Sequence, residues 1–231
     1  VGELKFDQWI EPAHLHDGDR LRSGWFPGRN VFLIASSVAD EEEPLLDLVE
    51  HLAKHDPMPK IIWAPRSPQR FGSVAEKLAA RNIPMARRSQ ILDKDRQGEI
   101  PGDVNVLVAD STGEMNVWYQ MADLVFVGGT LADKGGHNIS EPLALARPVI
   151  LGPSIFGITF PAIEAHNDGA VCIVDDLDGL IREVTENLTN PGSLAAFTAK
   201  AQIFAKRHVG ATARTMDVIE QLIGTCGTKA H

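Results

Sequence analysis

Val31-Phe32-Leu33-Ile34-Ala35 is apolar at every position, and Ser36-Ser37-Val38-Ala39-Asp40-Glu41-Glu42-Glu43 follows as a small-residue turn into an acidic helix start. A strand without polar alternation has neither face in water, which indicates a parallel sheet covered by helices on both sides. The same unit recurs along the chain. Strand patterns at residues 31–35, 60–64, 104–109, 124–127, 148–151 and 170–174 alternate with helical patterns at 41–55, 68–81, 113–121, 140–146 and 160–167. This alternation predicts an α/β fold, Rossmann-like and doubly wound, with a mainly parallel sheet. Helical patterns at 177–188, 194–206 and 212–223 close the chain, the last expected to pack back across the domain. Residues 1–29, with Pro12, Gly18, Gly24, Pro27 and Gly28 and no sustained period, read as a connecting segment. The folded domain is therefore expected to span residues 30–231.

Composition excludes several function classes. The 231 residues carry 22 Lys+Arg against 31 Asp+Glu, a net charge of −9. That balance argues against a general nucleic-acid binder and against broad adhesion to anionic lipid. No run approaches the ~18 apolar residues of a membrane span, and no basic-then-apolar leader opens the chain. Cys172 and Cys226 are too few and too far apart for a zinc cluster or a disulfide framework, so a reducing compartment fits and no metal site is predicted. Val1, not Met, opens the sequence, and a preceding segment is expected.

In open parallel sheets ligands bind beyond the carboxyl ends of the strands. Four such places carry polar residues. Ser36 and Ser37 follow the first strand, and the acids after them complement the dipole of the helix they begin. Pro65-Arg66-Ser67-Pro68-Gln69-Arg70 follows the second strand, and a guanidinium there can grip a phosphate or carboxylate by two-point geometry. Asp110-Ser111-Thr112-Gly113-Glu114 follows another strand; Ser111 and Glu114 fit a capping box, and Gly113 leaves backbone amides approachable. The densest stretch is Gly128-Gly129-Thr130-Leu131-Ala132-Asp133-Lys134-Gly135-Gly136-His137-Asn138-Ile139-Ser140-Glu141-Pro142. Two glycine pairs are costly to order, which favours a binding loop. Glu141 either receives the amide of Asn138 as part of a cap or accepts from two ribose hydroxyls; the residues alone leave both open. Arg66, Arg70 and Lys134 are expected to form a local positive pocket despite the net charge. Phosphate-loop, nucleophile-elbow and dinucleotide fingerprints are absent, so ATPase, hydrolase and dehydrogenase readings lose support.

Taken together, Leu4-Lys5-Phe6-Asp7, Pro65-Arg66, the 110–114 segment, the 128–142 string and Pro148-Val149-Ile150-Leu151-Gly152-Pro153 resemble the 3-deoxy-D-manno-octulosonic acid (Kdo) transferases of lipopolysaccharide assembly. The resemblance runs from about Gly2 to the C-terminal helices. It implies the C-terminal, donor-binding half of a GT-B glycosyltransferase, with the N-terminal half lying outside this sequence. It further implies that CMP-Kdo is the donor, that CMP is the product and that no cofactor is needed. The acceptor would be a lipid A precursor, and the transfer would invert the anomeric carbon. On this resemblance Pro65, Arg66, Thr112, Gly113, Glu114, Asn138, Ile139, Ser140 and Glu141 contact the donor, with Ser37, Gly129, Lys134, Gly135, Gly136 and His137 as further candidates. The catalytic base, the acceptor site and the membrane contact would all belong to the N-terminal half. The intact protein would then sit at the cytoplasmic face of the bacterial inner membrane, this domain being soluble and inactive alone. Three positions depart from the family pattern: residues 37–42 lack its His and Gly, Ser67 replaces a His, and Thr112 replaces a Met. Two other readings remain, a UDP-sugar transferase or epimerase of similar architecture, and a non-catalytic nucleotide-binding module.

Overall fold

The computed structural model describes residues 4–25 and 28–226. Pro27, Gly2 and the extreme ends of the two expected spans lie outside the described residues, as does the side chain of Cys226. Seven strands, β1 (Val31–Ser37), β2 (Lys60–Pro65), β3 (Met85–Arg87), β4 (Val106–Val108), β5 (Leu124–Val127), β6 (Val149–Leu151) and β7 (Val171–Ile173), form one sheet in the order β3-β4-β2-β1-β5-β6-β7. Every pairing is parallel. The chain builds outward from β1 to one side, then returns to lay β5 against the other side of β1. Strand order reverses there, with Ile34 opposite Phe126 and Ala35 opposite Val127, so both strands end in step at the place where such sheets bind ligands.

Both faces of the sheet are buried, as uniformly apolar strands require. On one face Leu33, Ala35, Val125 and Val127 pack with α1 (Pro12–Trp25), α5 (Met115–Met121), α6 (Ser140–Ala144), α7 (Thr159–Asn167) and α9 (Pro191–His208). On the other, Phe32, Ile34, Trp63 and Phe126 pack with α2 (Glu42–Leu52), α3 (Pro68–Ala80) and α8 (Leu177–Thr189). A one-turn helix, α4 (Arg88–Ile91), follows β3, and α10 (Ala211–Cys226) ends the described chain.

Three features differ from the sequence reading or were absent from it. Within residues 1–29, read from the sequence as a connecting segment without sustained period, residues 12–25 form helix α1, whose Leu21 and Trp25 are buried in the core and whose Trp25 indole donates to the Val104 carbonyl at 3.0 Å. Gly18, which argues against a helix by propensity, is what lets α1 approach α5: a Cβ there would lie 2.7 Å from Gln120 Cβ. Strand β3 and helix α4 have no counterpart in the sequence reading, because a three-residue strand ending in Arg87 carries no apolar run. Finally, α10 does not lie across the domain. It is tied at its first turn, where the Asp7 carboxylate accepts from the Gly210 and Thr212 amides at 2.7 and 2.6 Å, while Met216, Ile219, Leu222 and Ile223 remain exposed.

Candidate functional site

At the reversal point the ends of β1 and β5 touch closely: a Cβ on Gly128 would fall 2.6 Å from both Ser36 O and Ser37 Cα. The loop after β5 then curls over the start of α2 and closes on one carboxylate. Glu41, fully buried, accepts from Val38 N (3.2 Å), Gly129 N (2.7 Å), Thr130 N (2.9 Å), Leu131 N (2.8 Å) and Ala132 N (3.3 Å). Successive backbone N–H groups of this kind form a nest for an anion, and here the protein supplies its own. The Gly129 amide, a candidate ligand contact from the sequence, is therefore occupied. Glu41 serves this loop and not merely a helix dipole, a role sequence reasoning missed.

The cations after the strands fare differently from one another. Arg70 makes a two-point bond to the buried Glu42, which also receives Lys77 at 3.0 Å. Lys134 pairs with Asp40 at 3.1 Å. The expected three-cation pocket is thus not formed, because two of its members are neutralised by neighbouring acids. Arg66 is exposed, and among the described residues its guanidinium has no ion pair or hydrogen bond; its backbone N–H donates to Ser37 O at 3.0 Å. Pro65 is buried at the end of β2. The Ser37 hydroxyl is buried and accepts from the Trp63 indole at 2.8 Å, so it faces the core.

In the 110–114 turn the expected capping box is not made. Helix α5 starts at Met115, and the Glu114 carboxylate turns inward to Arg88 and the Ser111 hydroxyl. Thr112 and Gly113 are left exposed at the tip; Gly113 has φ +79° and nothing within 4 Å of its Cβ position. That conformation favours glycine.

In the second glycine pair, Gly135 N donates to Ser154 Oγ at 3.0 Å and Gly136 N to Gly129 O at 2.9 Å, which laces the loop to itself and to the segment after β6. His137 is half-buried, and its Nε2 has no hydrogen-bond partner among the described residues. Burial, then the charge of Arg66, hold its imidazole below the ordinary value, with Glu41 opposing. Ile139 and Ser140 are buried. Asn138 is exposed: its Oδ1 accepts from Ser140 N at 3.0 Å and its Nδ2 donates to Glu141 Oε1 at 3.1 Å. Glu141 consequently does not take the Asn138 backbone amide. Burial pushes its carboxyl up from the ordinary value, only partly countered by the Asn138 bond.

The structure therefore brings Arg66, His137, Asn138, Glu141 and the Thr112-Gly113 tip to the carboxyl edge of the sheet, while Ser37, Gly129, Glu114 and Lys134 are engaged by protein partners. Helices α5 and α6, which begin at this edge, have only seven and five residues. Among the described residues no helix is long and apolar enough to cross a membrane.

No family model matches the chain. It is 34% identical over 227 residues, 97% of its length, to the 3-deoxy-D-manno-octulosonic acid transferase of Bordetella pertussis, and 30% identical over 224 residues, 95% of its length, to that of Haemophilus influenzae. It spans about half the length of these relatives, 51% and 50%. Among solved structures, the C-terminal CMP-Kdo binding domain of WaaA from Acinetobacter baumannii superposes with a TM-score of 0.75 at 31% identity, covering 84% of this chain and 98% of that one. The chain belongs to the Kdo transferase family. Within that family it matches the C-terminal domain. The doubly wound parallel sheet expected from the sequence is the fold observed, and Anabaena Alr3699/HepE, solved with UDP and glucose, shares it at a TM-score of 0.57 and 14% identity, 92% of this chain matching 52% of that one.

Proposed function

We propose that this chain is the donor-binding half of a Kdo transferase and holds CMP-Kdo at the carboxyl edge of the sheet between β1 and β5. One observation carries the reading. Of the buried and half-buried carboxylates after the strands, Glu41 is met by amides, Glu42 by Arg70 and Lys77, Asp110 by Arg87 and Ser89, and Glu114 by Arg88. Glu141 alone, among the described residues, has neither a cation nor a backbone amide; its one bond is from a side-chain amide. A partly desolvated carboxylate of that kind is poised to accept from hydroxyls, and the ribose of a nucleotide offers two. Arg66, charged and unpaired, fits the phosphate in the same way.

In the intact enzyme a hydroxyl oxygen of a lipid A precursor attacks the anomeric carbon of Kdo as the bond from that carbon to the phosphate oxygen breaks. CMP leaves with the electron pair and configuration is inverted. Arg66 stabilises the charge that grows on the departing phosphate, and Glu141 and Asn138 hold the ribose. The hydroxyl proton passes to a base in the preceding half, so this domain alone binds donor without transferring it. The acceptor site, the membrane contact and the placement at the cytoplasmic face of the inner membrane belong to that intact protein. The UDP-sugar and non-catalytic readings lack support of this kind, since the 30–34% identical relatives are Kdo transferases. A calorimetric titration of the chain with CMP and with UDP tests the proposal: selective CMP binding is expected, and preference for UDP would overturn it.

A further inference from the structure

The 110–114 turn is held at both ends by one short segment that the sequence reading passed over. At its first residue, Asp110 accepts from Arg87 Nε (2.8 Å), Ser89 N (2.7 Å) and Ser89 Oγ (2.6 Å). At its last, Glu114 accepts from Arg88 Nε (2.8 Å) and Nη2 (2.7 Å) and from the Ser111 hydroxyl. Arg88 is itself fastened, donating to Leu92 O at 2.9 Å and Asp93 O at 2.8 Å. The side chains of Arg88 and Glu114 are 8% and 9% exposed, so this pair is buried rather than solvated. Between the two fastenings Ser111 is half-buried and Thr112 and Gly113 are exposed.

A buried ion pair contributes little net stability, because desolvation of both charges offsets their attraction. The buried Arg88–Glu114 pair at one end of the five-residue turn and the half-buried Arg87–Asp110 pair at the other leave its tip free and instead fix where that tip sits. We propose that Arg87 and Arg88 are positioning residues, which hold the 110–114 turn so that Thr112 and Gly113 meet the nucleotide. This rests on the donor-binding reading above and reassigns Glu114 from a ligand contact to the anchor through which Arg88 acts. The guanidinium fork is essential to it, since an ammonium in the same place keeps the charge and loses the two-point geometry.

The test compares CMP affinity, melting temperature and the amide resonances of Thr112 and Gly113 in the unmodified chain, Arg88→Lys and Arg87→Met. In the unmodified chain both amides are expected to shift on adding CMP. In each variant that stays folded, the dissociation constant is expected to rise about tenfold, the scale of one or two lost hydrogen bonds, with the two CMP-induced shifts reduced. A merely structural role for the charge predicts that Arg88→Lys retains affinity, and native affinity in the folded variants overturns the inference. Should Arg88→Lys fail to fold, Arg87→Met decides alone, since its partner Asp110 keeps both bonds from Ser89. If the unmodified chain ignores CMP, the donor-binding reading fails first and this inference falls with it.

Discussion

Glu41 and Glu141 look alike in the sequence, each an acid at a helix start after an apolar strand, yet they have opposite environments. Five amides surround Glu41, whereas Glu141 has one side-chain bond and a raised carboxyl pKa. The difference comes from a loop folding back over the first helix, a tertiary contact that no local spacing encodes. It leads to opposite outcomes on mutation. A carboxyl whose pKa rises on folding adds stability below its ordinary value of 4.5 and loses it as pH climbs through the folded value. At neutral pH ionised Glu141 is therefore a cost, which the hydroxyls of the proposed donor would offset. Glu141→Gln is expected to leave the melting temperature unchanged or raised while weakening CMP about tenfold, as calorimetry on one preparation can measure. Glu41→Gln, which turns an amide donor toward other donors, is expected to lose about 2–4 kcal/mol in denaturant unfolding.

Elements were legible from the sequence where burial is uniform. The strand at residues 124–127 matches β5 because both its faces are covered, and the other runs of β-branched residues were readable for the same reason. Elements defined by their neighbours were not: α1 depends on Gly18 fitting against Gln120, and β3 on its pairing with β4. The meeting of β1 and β5 is similarly exacting. Gly128→Ala would drive a Cβ into backbone atoms of Ser36 and Ser37, and backbone does not yield as a flexible side chain does. A loss of about 1–3 kcal/mol or more is expected in chemical denaturation. The joint between residues 4–7 and α10 rests on Asp7, whose carboxyl the Thr212 and Gly210 amides hold below the ordinary 3.8. A lowered carboxyl pKa stabilises above the unfolded value and ceases to do so as pH falls through the folded one. Hydrogen exchange at Gly210 and Thr212 should therefore quicken below about pH 3.8, and Asp7→Asn should quicken it at neutral pH.

Across the whole molecule, net charge and fold class were readable from the sequence, but the local field at the site was not. Of the three cations expected to make a pocket, Arg70 and Lys134 are spent on Glu42 and Asp40, and only Arg66 of the three is left without an acidic partner among the described residues, which is why it is the one proposed to meet a phosphate. Charge pairing depends on which loops the sheet brings together, and that is settled only on folding. Donor recognition is accordingly proposed for a small set of groups, Arg66, Asn138, Glu141 and the Thr112-Gly113 tip, the last held between the Arg87–Asp110 and Arg88–Glu114 pairs. The most direct test is to titrate CMP and UDP into the unmodified chain, Arg66→Ala and Glu141→Gln, with the melting temperature of each recorded alongside. Selective CMP binding that both substitutions weaken, with no loss of thermal stability in either, is the predicted result. Native CMP affinity in Glu141→Gln together with a lowered melting temperature would contradict it, reducing Glu141 to a structural residue.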